Sequence, residues 1–225
     1  MELAVITFTN NKRGRWLEET KQSVYKFLPA TAEHLILNCE KPEHLEPMRL
    51  ECVGIAKYIT FVDDDDTIIK DSLNTCLDLL NKTNFGVAFT DEQKIDSDSK
   101  IIFPDEKIRT GLTTRCVAMH PNIVHHLAMI RSDAVPKEII SEALKLGRGA
   151  EWLIKASAGL TNKAIHVKDF GYQWRQHGDN FHKTKEWTEN YKTKMNDLVL
   201  CLSKYSNFIN RILPFYKDGN IQGLY

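Results

Sequence analysis

Tyr58-Ile59-Thr60-Phe61-Val62-Asp63-Asp64-Asp65-Asp66 is an apolar, β-branched run that ends in four consecutive carboxylates. Its first five residues have the make-up of a buried strand. The four acids repel one another, so solvent, basic neighbours or a bound cation must offset them. Open α/β sheets bind ligands beyond the carboxyl ends of their strands. Acids at such an end suit a hard divalent cation, held by one or two carboxylates and completed by the phosphates of a substrate. The stretch therefore predicts a metal and diphosphate site at a strand end; the plainer alternative is a solvated acidic turn.

Toward the N-terminus, Leu3-Ala4-Val5-Ile6-Thr7-Phe8 reads as a central strand, and Thr9-Asn10-Asn11-Lys12-Arg13-Gly14 as the polar turn that ends it. From Arg15 onward, Leu17, Val24, Phe27 and Leu28 recur at helical spacing until Pro29. His34 to Asn38 is a short second strand. Two prolines predict irregular chain from Lys41 to Pro47, followed by a short helix over Met48 to Ala56.

Beyond the acids, Leu73, Cys76, Leu77 and Leu80 mark one helix face, with Asp71 or Ser72 placed to cap it. Phe85 to Thr90 is another strand, and Asp91 to Ser99 a charged turn leading to Ile101-Ile102-Phe103. Alternating strands and helices predict a mostly parallel central sheet with helices on both faces. In this division residues 1–104 are a nucleotide-binding half and 105–182 an acceptor-side half of one catalytic domain.

In the second half, His125 to Arg131 reads as a strand. Its adjacent histidines, His125 and His126, point to opposite faces and cannot share one ion without a bulge. Pro136 opens a helix that Gly147 closes, and a second helix runs from about Ala150 to Ala158, ended by Gly159. Ala164 to Val167 is a further strand, followed by the aromatic and basic run Phe170 to Asn180. Trp187, Tyr191, Met195, Leu198, Leu202 and Tyr205 recur at helical spacing. They make residues 183–225 a C-terminal helical extension that covers the core, or alternatively a homodimer seam.

The composition is that of a folded globular protein, 42% hydrophobic and 27% charged over 225 residues, with a formal net charge of zero. Zero net charge argues against constitutive, salt-driven nucleic-acid binding. The charges are nonetheless divided: residues 61–110 hold twelve Asp and Glu against six Lys and Arg, and residues 163–217 hold five against ten. Five widely spaced cysteines without a C-x-x-C pair suggest buried thiols rather than a zinc site or disulfides. No stretch approaches the roughly 18 apolar residues of a membrane span, and Met1-Glu2 leads into Leu3 without a signal-peptide pattern. The expected location is the cytoplasm, of a bacterium or a virus-infected host cell.

Taken in order, these features resemble the GT-A fold of nucleotide-sugar glycosyltransferases, most closely the inverting enzymes of family 2, over residues 3 to about 180. Val5 to Asn11 are similar to that family's first strand and turn, which implies that Thr7, Thr9, Asn10 and Arg13 border the donor nucleotide. Asn38 stands where the family usually has an Asp that touches the base or ribose. Phe61-Val62-Asp63-Asp64-Asp65-Asp66 looks like the D-x-D signature, implying Asp65 as the main ligand of Mn2+ or Mg2+, with Asp63 and Asp64 near the ribose, sugar or metal. Ala150-Glu151-Trp152 resembles the helix start that carries the catalytic base, which falls on Glu151. Tyr172-Gln173-Trp174-Arg175-Gln176-His177 is similar to the stretch that closes the catalytic domain. There Arg175 lies near the diphosphate and His177 completes the metal site, with His182 as a rival ligand. Trp152 and Trp174 are placed as core residues or acceptor platforms.

The resemblance implies a metal-dependent transfer of a sugar from a nucleoside-diphosphate sugar, a UDP-sugar being favoured, to an acceptor hydroxyl with inversion. An acid at a helix N-terminus is also favourable in its own right, which is the plainer reading of Glu151. The acceptor is open among glycans, lipid carriers, small molecules and hydroxymethylated bases of DNA, for which Lys183, Lys185, Lys192, Lys194 and Arg211 would track phosphates. A nucleotidyltransferase and a non-catalytic nucleotide or carbohydrate binding module are the alternatives of other classes.

Overall fold

The computed structural model describes residues 1–102, 126–146 and 149–178, together with 197, 200–202, 216–217 and 220–221 near the C-terminus. Expectations for His125, Gly147, Arg148, His182, the lysines from 183 to 194, Trp187 and most of the C-terminal helix fall outside these residues.

β1 (Leu3–Thr9), α1 (Gly14–Phe27), β2 (Ala32–Asn38), α2 (Pro42–Glu51), β3 (Tyr58–Phe61), β4 (Thr67–Ile68) and α3 (Ser72–Lys82) make up the first part. β5 (Val87–Ile95), β6 (Ala128–Arg131), α4 (Lys137–Leu146), α5 (Ala150–Asn162) and β7 (Ala164–Arg175) follow. β8 (Tyr216–Lys217) pairs antiparallel with β9 (Asn220–Ile221), a small ribbon beyond the helical periodicity that ends at Tyr205.

The central sheet has the order β2-β1-β3-β6-β5-β7-β4. β1 pairs parallel with β2 and β3, and β5 with β7, whereas β6 runs antiparallel between β3 and β5, and β4 antiparallel to β7. The sheet is mixed rather than purely parallel: β1, β2, β3, β5 and β7 run one way, as the mostly parallel sheet expected requires, and β6 and β4 run against them. β6 reverses direction, so β1, β3, β5 and β7 still all point the same way. Their carboxyl ends gather Thr9, the four aspartates, the turn after Ile95, and Arg175 to His177 at one edge.

Several boundaries move for identifiable reasons. α2 begins at Pro42, where the missing N–H costs nothing because the first helical N–H groups lack internal partners. Pro42 therefore does not keep this segment irregular, and Pro47 is carried inside the helix, where it forgoes one backbone hydrogen bond. Gly159 lies inside α5, and Asp91 to Lys94 belong to β5 rather than to a turn, because they pair with the aromatic run that extends β7 to Arg175. Asp71 does occupy the position before α3, but its carboxylate accepts from the Asn74 side chain instead of a helix amide.

One apolar layer packs α2, α4 and α5 against the sheet around Phe61, Phe89, Ile130, Ile139 and Leu153, and the other packs α1 and α3 around Val24, Tyr58, Leu73 and Leu80. Cys201 and Leu202 are buried in the first layer. Among the described residues no helix is long and apolar enough to cross a membrane.

Candidate functional site

The four aspartates are not equivalent. Asp63 keeps its side chain 41% exposed, whereas Asp64, Asp65 and Asp66 are buried. Each carboxylate meets a different part of the fold.

Asp66 is a structural acid. It accepts the Tyr172 hydroxyl at 2.9 Å and the Arg175 amide at 2.7 Å, and burial, reinforced by Asp65 and Asp63, pushes its carboxyl well above the usual carboxylate range. Its backbone carbonyl accepts the Thr20 hydroxyl, tying the turn to α1. Asp64 and Asp65 share one cation: Nη1 of Arg13 lies 3.0 Å from Asp64 Oδ1 and 2.6 Å from Asp65 Oδ2. Asp65 Oδ2 also meets Nε2 of His177 at 2.7 Å, and the His177 ring packs on Trp16. Burial, with repulsion from Asp63, raises the Asp65 carboxyl despite His177 and Arg13.

Arg175 corrects its sequence placement. Its side chain is fully buried and its guanidinium is held by protein: Nε donates to the Asp65 carbonyl at 2.6 Å, Nη1 to Ser99 Oγ at 2.8 Å and the Asp96 carbonyl at 3.2 Å, and Nη2 pairs with Glu19 at 2.7 Å. It clamps the acidic turn, the turn after β5 and α1 together, and at zero exposure it presents no surface to a diphosphate.

Asp63 looks the other way, toward α2 and α5. Arg49 Nη2 lies 3.9 Å from Asp63 Oδ1 and 3.0 Å from Glu151 Oε2; His126 Nε2 lies 3.6 Å from Asp63 Oδ2, and its Nδ1 3.8 Å from Glu151 Oε1. Glu151 stands in the first turn of α5, where Lys155, one turn on, pairs with it at 2.8 Å. Burial would raise this carboxyl, but Lys155, Arg49 and His126 outweigh it and hold it far below the usual range. Glu151 is thus an ionised, fixed carboxylate, more perturbed than its sequence context suggests. α2 sets the helix start itself, since Glu46 both pairs with Arg49 and accepts the Ala150 amide at 2.6 Å.

The remaining candidates divide. Thr9 accepts the Asn11 amide and, with Asn10, which accepts the Lys12 amide, shapes the turn that delivers Arg13. Asn38 is exposed beside this turn, within 3.5 Å of Asn11. Thr7 is fully buried, its hydroxyl 3.0 Å from Nε2 of His34. Trp152 is packed into the core, and Trp174 is half-buried with Lys94 beside its ring. Sequence reasoning missed Arg49, Lys155 and Trp16, and set His126 aside as a strand residue. Lys155 alone carried a signal, its four-residue spacing from Glu151 on a helix.

For a divalent cation the oxygen donors are suitable. Asp63, Asp65 and Asp66 each offer a carboxylate oxygen within 4.8 Å of the others, a hard donor set of the kind Mg2+ or Mn2+ takes. Asp66 has both oxygens committed to Tyr172 and Arg175, so Asp63 and Asp65 fit the ion best.

An acidic strand end facing a fixed carboxylate across a mixed α/β sheet is an arrangement of the GT-A fold, and the chain has this fold. Among solved structures it is similar to S. aureus TarS. For residues 1–349 of TarS in complex with UDP-GlcNAc the TM-score is 0.63 at 15% identity, covering 90% of this chain and 66% of that one. The UDP complex gives 0.59 at 13%, with 90% and 65% covered, and full TarS 0.53 at 15%, with 100% and 46% covered. This chain therefore spans less than two thirds of the length of the TarS structures it matches. No protein-family model and no curated relative matches the sequence.

Proposed function

We propose that the protein is a metal-dependent glycosyltransferase that moves a sugar from a nucleoside-diphosphate sugar to an acceptor hydroxyl with inversion. The observation that carries this is the pairing of two unlike acidic centres at one sheet edge: the Asp63–Asp65 cluster and the buried, ionised Glu151, joined by Arg49 and His126. The likeness to TarS bound to UDP-GlcNAc supports a UDP-sugar as donor.

In this reading Asp63 and Asp65 hold Mg2+ or Mn2+, with His177 fixing Asp65. A divalent ion there supplies positive charge against the diphosphate that departs. Thr9, Asn10 and Asn38 border the nucleotide, and Asp64 completes the donor side. Glu151 accepts the proton of the attacking hydroxyl as it reaches the anomeric carbon from the opposite face, which inverts that centre. A carboxylate of low basicity suffices, because an alcohol gives up its proton late. Residues 1–182 form the catalytic domain, and 183–225 an extension to it.

The test measures nucleotide release from UDP-GlcNAc and other nucleotide sugars with Mn2+ present. Release should vanish in Asp65→Ala, and Glu151→Gln should keep donor binding while transfer falls by about 100-fold or more. Transfer retained in Glu151→Gln moves the base elsewhere, and no release from any nucleotide sugar refutes the reading.

A further inference from the structure

Asp65 Oδ2 is an oxygen with two nitrogen donors already on it, Nη1 of Arg13 at 2.6 Å and Nε2 of His177 at 2.7 Å. A carboxylate oxygen offers about two lone pairs, so a cation that binds this oxygen must displace one of the two donors. The donors differ in how they are held. The His177 side chain is 4% exposed and packed at a tilt against Trp16 with ring centroids 4.6 Å apart. The Arg13 side chain is 30% exposed and enters from the turn just before α1, a flexible stem with solvent on one side. Arg13 also reaches Asp64 Oδ1 at 3.0 Å, so a single guanidinium spans two neighbouring carboxylates. That is the place in which a divalent ion would relieve the same repulsion.

We infer that Arg13 is an internal counter-cation: it neutralises Asp64 and Asp65 when no metal is bound, and a divalent ion that takes Asp65 Oδ2, the oxygen facing Asp64's partner, displaces it. This rests on the metal reading of the acidic cluster proposed above. It gives Arg13 a role other than nucleotide contact, and it makes metal binding a competition within the protein. Removing the positive charge should therefore strengthen metal binding, whereas a residue that merely supports the fold or contacts the nucleotide would leave metal affinity unchanged or weaken it.

Calorimetric titration of the nucleotide-free protein with MnCl2 tests this on the wild type, Arg13→Met and Arg13→Lys. Arg13→Met should bind Mn2+ about tenfold more tightly, the scale of a partly buried ion pair that no longer competes, and Arg13→Lys should stay within about twofold of wild type. Arg13→Gln, with circular dichroism to confirm folding, serves if the methionine variant does not fold. Mn2+ affinity in the neutral variants equal to or below that of a wild type that does bind Mn2+ overturns the inference alone. Absence of Mn2+ binding in every protein, with UDP added or not, overturns the metal reading and this inference with it.

Discussion

His34 shows how one residue makes stability depend on pH. Its ring projects from β2 against Tyr25 with Nε2 3.0 Å from the Thr7 hydroxyl, while Nδ1 is buried with no hydrogen-bond partner. Burial, helped by nearby Lys21, lowers its pKa to about 4 from the ordinary 6.5. Between those two values the unfolded chain binds more protons than the native one, so stability falls as pH falls through the window. Urea unfolding at pH 7 and pH 4.5 should show the wild type losing about 1–2 kcal/mol more than His34→Gln, after discounting for partial exposure. Parallel losses in the two proteins would remove His34 as the cause. At this scale the acids were legible in the sequence, because four adjacent aspartates and a helix-starting Glu151 carry charge in recognisable places. Arg49 was not, and Arg175 was read as a diphosphate contact rather than a buried clamp, because the partners that bury them, Glu151 and Glu19, are brought to them from elsewhere in the chain.

Gly86, just before β5, fixes how closely α5 can lie on the sheet. A Cβ there would sit 2.0 Å from the Ala158 carbonyl oxygen and 2.6 Å from its carbonyl carbon, in the middle of α5. That backbone cannot yield without moving the helix that carries Glu151. Gly86→Ala should cost about 1–3 kcal/mol, as overpacking does, and lower the melting temperature. Gly14→Ala, whose Cβ would meet nothing within 4 Å, is the control and should leave it nearly unchanged. Equal melting temperatures in the two variants would mean that α5 is free to shift. Elements with one clear apolar stripe, α1, α3 and α4, were legible from spacing. The full extents of α2, β5 and β7 were not, because Pro42 is tolerated at a helix start and because polar residues in β5 are held by pairing with β7, a partner whose alignment no local pattern records.

For the molecule as a whole, the decisive property is that the acidic edge is balanced by the protein's own groups: Arg49 and His126 at Asp63, Arg13 at Asp64 and Asp65, His177 at Asp65. The order of elements along the chain conveyed the fold, whereas the antiparallel insertion of β6 did not show, since an isolated four-residue strand carries no direction. The charge balance has a thermodynamic consequence. Mn2+ alone must compete with internal cations, and a nucleoside diphosphate alone approaches an edge rich in carboxylates, so each should stabilise the fold weakly. On the proposed reading the ion would offset the phosphates and the phosphates would complete its coordination, so each ligand would raise the affinity for the other. Ligand at about 100 times its dissociation constant adds about 2.7 kcal/mol of stability, on the order of 5–10 °C in melting temperature for a protein of this size. Thermal unfolding with UDP and Mn2+ together should therefore show a shift larger than the sum of the two single-ligand shifts. In Asp65→Ala that excess should disappear, because the ion loses its best-placed ligand. Additive shifts in the wild type, or an excess that survives Asp65→Ala, would mean that the nucleotide and the metal do not meet at this edge.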